Sequence, residues 1–125
     1  MICADTSSLV RFLEGETGPD IDLIARAALR GDLVITPPSV TELLSYTEAR
    51  PRLADLLAIA SVLPLDATAW ERAGLARRGL KRLGLRATLA DALIAQCCID
   101  AGVPLIAHDP DFRHFATHCG LKLAT

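Results

Sequence analysis

The chain reads as an α/β domain built on a short, mainly parallel sheet of about five strands flanked by helices. Three observations predict this. Short apolar runs rich in β-branched residues alternate with helical stretches of ten or more residues, glycines stand where helical periodicity stops, and no tract of repeats or low complexity interrupts the pattern. Parallel neighbours need long crossover connections, and the helical stretches have the length to supply them.

Ile2 to Asp5 opens the sheet, and Thr6-Ser7-Ser8 leads into a helix whose apolar face carries Leu9, Val10, Phe12 and Leu13. Residues 20 to 30 form the second helix, with Ile21, Leu23, Ile24, Ala27, Ala28 and Leu29 at helical spacing and Gly31 as its stop. Leu33-Val34-Ile35 is a strand. Thr36-Pro37-Pro38-Ser39 starts a helix bearing Val40, Leu43 and Leu44, and another runs from Arg52 to Ala60. Val62 to Leu65 reads as a strand, Ala67 to Leu83 as a long helix, and Thr88 starts a helix that Gly102 closes. Val103 to Ala107 is a buried-type strand, Pro110 to Ala116 a short helix and Leu121-Lys122-Leu123 a last strand.

At 125 residues and 51% hydrophobic content, residues 1–125 are expected to form a single domain with a proper core. The net charge of −2 gives no bulk attraction to nucleic acid, so such binding must rest on a local basic patch. The amino terminus lacks a basic region followed by a long apolar stretch, and no apolar run is long enough to span a bilayer. A cytoplasmic protein with no membrane association is the expectation. Cys3, Cys97, Cys98 and Cys119 form no C-x-x-C pair and read as reduced, structural thiols. A weaker reading takes zinc ligands from His114, His118 and Cys119, since histidines four apart share a helix face.

Four acids carry the chemistry. Asp5 and Asp109 end strands, and Glu42 and Asp91 fall in what the pattern gives as first turns of helices. In a parallel sheet all four positions lie at the carboxyl edge, where open α/β folds bind ligands. Carboxylates gathered there repel one another and are stably charged only beside a cation. Each acid singly has an ordinary structural explanation as a helix cap: Ser39-x-x-Glu42 and Thr88-x-x-Asp91 look like capping boxes, Asp5 can cap the first helix, and Asp109-Pro110 looks like an N-cap followed by Pro at N1.

The local contexts shift the balance. Asp5-Thr6-Ser7-Ser8-Leu9-Val10, Thr41-Glu42-Leu43-Leu44, Asp91-Ala92-Leu93-Ile94-Ala95 and Asp109-Pro110-Asp111-Phe112, in this order and at these separations, resemble the PIN-domain family, and more narrowly its VapC-type toxins. The resemblance covers essentially the full chain. It implies a PIN-like three-layer fold and a magnesium- or manganese-dependent endoribonuclease, the toxin of a type II toxin–antitoxin pair, held in check by a cognate antitoxin and associating as a homodimer. By position it implies Asp5, Glu42, Asp91 and Asp109 as the catalytic, metal-holding acids, with Ser7 and Asp111 as helpers for a metal-bound water. The chain departs from the family pattern at Ala107, where Thr or Ser is frequent, and His108 follows it.

The chemistry is consistent with this. Hard divalent cations favour oxygen ligands, polarise phosphates and lower the pKa of bound water, so hydrolysis needs no side-chain nucleophile, whether one ion or two are held. An RNA substrate also needs cations, and Arg77, Arg78, Lys81, Arg82 and Arg86 cluster after Arg72 against the single acid Glu71. Arg86 is the foremost of these because it lies just before the Asp91 helix. Aromatic residues are scarce, so base stacking is not expected to dominate, and Trp70 and Tyr46 read equally as core or dimer contacts. A competing reading gives acid–base catalysis to His108 and His114.

Other acidic α/β folds fit less well. A phosphoaspartyl phosphatase needs a second acid where Ser7 stands, and a receiver domain needs paired acids there with a late lysine, whereas the only lysines are Lys81 and Lys122. A non-catalytic RNA- or protein-binding module on the same fold is the alternative in a different class, and the retention of all four acids speaks against it.

Overall fold

The computed structural model describes residues 1–46 and 50–125. Its four strands are all parallel and stand in the order β3-β2-β1-β4. Strand β1 (Ile2–Ala4) is central, pairing with β2 (Leu33–Ile35) through Cys3↔Val34 and with β4 (Leu105–Ile106) through Ala4↔Ile106. Strand β3 (Ser61–Val62) lies outside β2.

The fifth segment is reduced to one parallel bridge, Leu105↔Leu123, in which the Leu105 N–H donates to the Lys122 carbonyl and the Ala124 N–H to that of Leu105. The strands β3 and β4 are also shorter than their apolar runs. Pro64 and Pro104 have no N–H to give the ladder, so pairing stops after Leu63 and starts again only at Leu105.

Alternation along each strand divides the core in two. Cys3, Val34 and Leu105 face one side, packed with Leu80, Ala92 to Ala95, Phe112 and Phe115. Ala4, Leu33, Ile35 and Ile106 face the other, against Leu9, Leu13, Ile24, Leu43, Leu53 and Leu56. Helices α1 (Thr6–Leu13), α2 (Pro19–Arg30), α3 (Pro37–Ser45) and α4 (Arg50–Ile59) thus cover one face. Helices α5 (Ala67–Arg82), α6 (Leu89–Ala101) and α7 (Phe112–Cys119) cover the other, giving three layers. Helix α6 buries every residue from Ala92 to Cys98, an apolar run interrupted only by Gln96, whose Nε2 donates to Asp100 at 2.8 Å.

Two cap assignments differ from the sequence pattern. Helix α3 is capped by Thr36, whose Oγ1 accepts from the Ser39 N–H at 3.4 Å, with Pro37 and Pro38 filling the first positions, so Glu42 lies in the second turn. Helix α7 starts at Phe112 rather than Pro110, because Asp109 bends the chain first by accepting the Asp111 N–H at 2.9 Å. The caps on α1 and α6 are Asp5 and Thr88, as the sequence indicates. No helix among the described residues is long and apolar enough to cross a membrane.

Candidate metal centre and active site

The carboxyl edge of the sheet holds a cavity of about 220 Å³ lined by Asp5, Thr6, Ser7, Glu42, Asp91, Ile94, Asp109 and Phe112. All four sequence-nominated acids meet there. Asp5 follows β1 and is 1% exposed; its Oδ1 accepts the Ser8 N–H at 2.8 Å and its Oδ2 accepts the Ser7 hydroxyl at 3.0 Å. Capping and site duties therefore coincide in one side chain, since each carboxylate oxygen retains a second lone pair.

Glu42 stands at the exposed rim, and its Oε1 accepts the Thr6 hydroxyl at 2.7 Å. Thr6 is in turn 3.0 Å from Ser39 Oγ, which accepts the Thr36 hydroxyl at 3.2 Å. This hydroxyl chain ties α1 to α3 and aims Glu42 inward from the second turn. Sequence reasoning passed over Thr6 and Ser39. Adjacency to Asp5 was the available signal for Thr6, but the pairing spans 33 residues and only the fold reveals it.

Asp91 stands in the first turn of α6, its N–H donating to Thr88 Oγ1 at 3.1 Å. Burial pushes its carboxyl up to about 6, reinforced by the charges of Asp109, Asp5 and Glu42 and opposed by a hydrogen bond with Thr88. Asp109 is reached from the end of β4. Single oxygens of Asp91, Asp109 and Asp111 lie within 4.8 Å of one another.

The donor set fits a hard divalent cation. Every candidate ligand is a carboxylate oxygen, hydroxyls stand beside them, and the Asp91 carboxyl is raised by burial first and by the neighbouring acids second. Asp5, Glu42, Asp91 and Asp109 line the cavity, and the oxygens close enough to share one ion are those of Asp91, Asp109 and Asp111. The zinc reading fails among the described residues, where the one group of ligands within bonding reach is the aspartate set. The cysteines are free, Cys3, Cys97 and Cys98 are buried, and burial pushes the Cys97 thiol up to about 12 and raises that of Cys119.

The histidines do not form a catalytic pair at the cavity. His108 is exposed and its Nδ1 is 3.9 Å from Asp20, in a neighbouring depression, whereas His114 Nε2 is 3.8 Å from Asp111. Asp20 itself is held by Arg11, whose Nε lies 3.1 Å away.

The basic residues divide by role. Arg78, Lys81 and Arg82 line a cleft of about 450 Å³ between α5 and α6, together with Trp70 and Leu89. Arg77 lines it too, but its Nε donates to the Ala87 carbonyl at 2.7 Å and so fixes the turn before α6. Arg72 is occupied by Asp100 at 2.5 Å and Asp66 at 3.8 Å. Arg86 reaches Asp111, with Nε 3.2 Å from Oδ2. Trp70 is 54% exposed, which removes the core reading for it, and Tyr46 donates its hydroxyl to Glu14.

The parallel three-layer fold with acids at its carboxyl edge is shared by several α/β families, and the PIN domain family model matches residues 2–117; the chain belongs to that family. Its fold is shared with solved complexes. The crystal structure of VapBC2 from Rickettsia felis bound to a DNA fragment from their promoter superposes with a TM-score of 0.75 at 19% identity, covering 98% of this chain and 97% of that one. DNA-bound VapBC from Salmonella typhimurium gives 0.74 at 20% identity over 98% and 97%. FitAcB from Neisseria gonorrhoeae gives 0.66 at 14% identity over 100% and 97%. No curated protein sequence matches the chain.

Proposed function

We propose that this PIN domain is a magnesium- or manganese-dependent endoribonuclease, a hydrolase acting as the toxin of a type II toxin–antitoxin pair. The observation that carries the reading is the meeting of Asp5, Glu42, Asp91 and Asp109 in one small cavity from four separate segments. Capping does not account for the set, because Asp5 alone of the four caps its helix, α3 and α6 being capped by Thr36 and Thr88. Family membership and the fold shared with VapBC complexes support the toxin assignment and a cognate antitoxin as partner; a homodimer and a cytoplasmic setting are part of the same proposal.

One or two bound divalent ions would neutralise the carboxylates, polarise the scissile phosphate and lower the pKa of a water. The protein's part is positioning. Asp5 is immobilised by Ser7 and Ser8, Glu42 by Thr6, and Asp109 by the tight turn to Asp111, so the donors are set before ligand arrives. Ser7, donating to Asp5, is placed to orient a water at the acids. Arg78, Lys81 and Arg82, with Arg77 and Arg86, supply the cationic track an RNA backbone needs in a chain of net charge −2.

The test is cleavage of RNA by the purified chain with magnesium, with manganese and with chelator. Metal-dependent cleavage that disappears in Asp5→Asn and Asp91→Asn while both variants keep their fold is the expected result. Cleavage indifferent to chelator, or no cleavage by protein shown to bind the metal, would favour the non-catalytic binding module.

A further inference from the structure

We propose that Arg86 is a phosphate clamp at the mouth of the acidic cavity and that Asp111 is its positioning residue, committed to the guanidinium rather than to the metal. The inference rests on the metal-dependent RNA cleavage proposed above. By distance alone Asp111 qualifies as a ligand, since one of its oxygens lies within 4.8 Å of those of Asp91 and Asp109. Its neighbours point elsewhere. Oδ2 is 3.2 Å from Arg86 Nε, Oδ1 is 3.8 Å from His114 Nε2, and Asp111 is absent from the cavity wall that the other four acids share.

Arg86 is delivered by a fixed turn. Gly84 takes φ 75°, Arg77 donates to the Ala87 carbonyl at 2.7 Å, and Thr88 caps α6 immediately afterwards. The Arg86 side chain is 76% exposed and meets Asp111 through Nε, so the outer face of its guanidinium fork is available to a ligand. An ion pair this exposed contributes little to stability; its contact through Nε fixes the direction in which the guanidinium fork faces. A guanidinium beside a carboxylate pocket binds phosphate oxygens by paired, charge-assisted bonds and opposes the negative charge that develops there during hydrolysis.

The experiment compares wild type, Arg86→Ala, Arg86→Lys, Asp111→Asn and the Arg86→Ala/Asp111→Asn double variant as full chains. Manganese affinity is measured calorimetrically without RNA, binding of a labelled single-stranded RNA is measured in calcium, and kcat/KM is measured in magnesium. Manganese affinity is expected to stay within about twofold throughout, while each single alanine or asparagine variant lowers RNA affinity or kcat/KM about tenfold. Arg86→Lys should recover only part of the loss, and the double variant should be no worse than Arg86→Ala, because the two residues act as one unit. A tenfold loss of manganese affinity in Asp111→Asn would make it a ligand and overturn the proposal, as would an Arg86→Ala variant with unaltered RNA affinity and turnover, or losses that multiply. Wild type that binds manganese and RNA but cleaves nothing would overturn the nuclease reading alone, and RNA affinity in calcium would still decide the role of Arg86.

Discussion

Asp91 concentrates the electrostatic conflict of the site in one carboxyl. Its value of about 6 in the folded chain exceeds the ordinary 3.8, because burial and then the charges of Asp109, Asp5 and Glu42 disfavour ionisation. Well below 3.8, at about pH 2.5, the group is protonated in both folded and unfolded chains and costs nothing. As pH rises from about 4 to 6 the unfolded chain ionises first, stability falls, and above the folded value the penalty is complete. Removing the charge should therefore help. In chelator, Asp91→Asn is expected to be more stable than wild type by about 1–2 kcal/mol at pH 7.5, after allowance for solvent screening, and equal to it at about pH 2.5. Urea denaturation at the two pH values checks this; a variant less stable at pH 7.5 would show Asp91 to be structural.

At the level of elements, much of the architecture was legible in the sequence because strand and helix signals alternate cleanly, and Asp5, Thr88, Gly31 and Gly102 mark boundaries that the structure keeps. The differences have local causes. Two prolines shortened β3 and β4, Thr36 capped α3 in place of Ser39, and Asp109 formed a turn ahead of α7 instead of its cap. The convergence of the four acids followed from parallel topology, but the Thr6–Glu42 and Arg86–Asp111 contacts join residues that no local pattern connects. The basic helix α5 illustrates the same limit, since spacing alone cannot separate Arg77, which holds the Ala87 carbonyl, from its neighbours in the cleft. Replacing Arg78, Lys81 and Arg82 together with Gln is expected to flatten the salt dependence of RNA binding by a slope of about 2. Arg77→Gln should instead cost about 1 kcal/mol of stability. Identical salt slopes for the triple variant and wild type would show the three cations to be ordinary surface.

For the whole molecule, the proposed metal dependence would couple folding to cation binding through the acidic cavity. The arrangement that gathers Asp5, Glu42, Asp91 and Asp109 around one cavity sets their charges against Asp91 in the metal-free fold, and the unfolded chain, with those residues spread from position 5 to 109, escapes this. A cation that binds only the folded site must then stabilise it, by about 2.7 kcal/mol at a hundredfold excess over Kd. For a chain of this size that amounts to a rise in Tm of roughly 10 °C. Manganese should therefore raise the Tm of the wild type in a concentration-dependent way, and magnesium should do so at higher concentration. Asp91→Asn should begin from a higher Tm in chelator and gain much less from either ion, so that the two melting curves converge as metal is added. This crossing of effects separates a metal site from a capping role, because loss of a cap lowers Tm with or without metal. A wild-type Tm indifferent to both ions in the millimolar range would mean that the four carboxylates do not form a site before RNA supplies its phosphate oxygens.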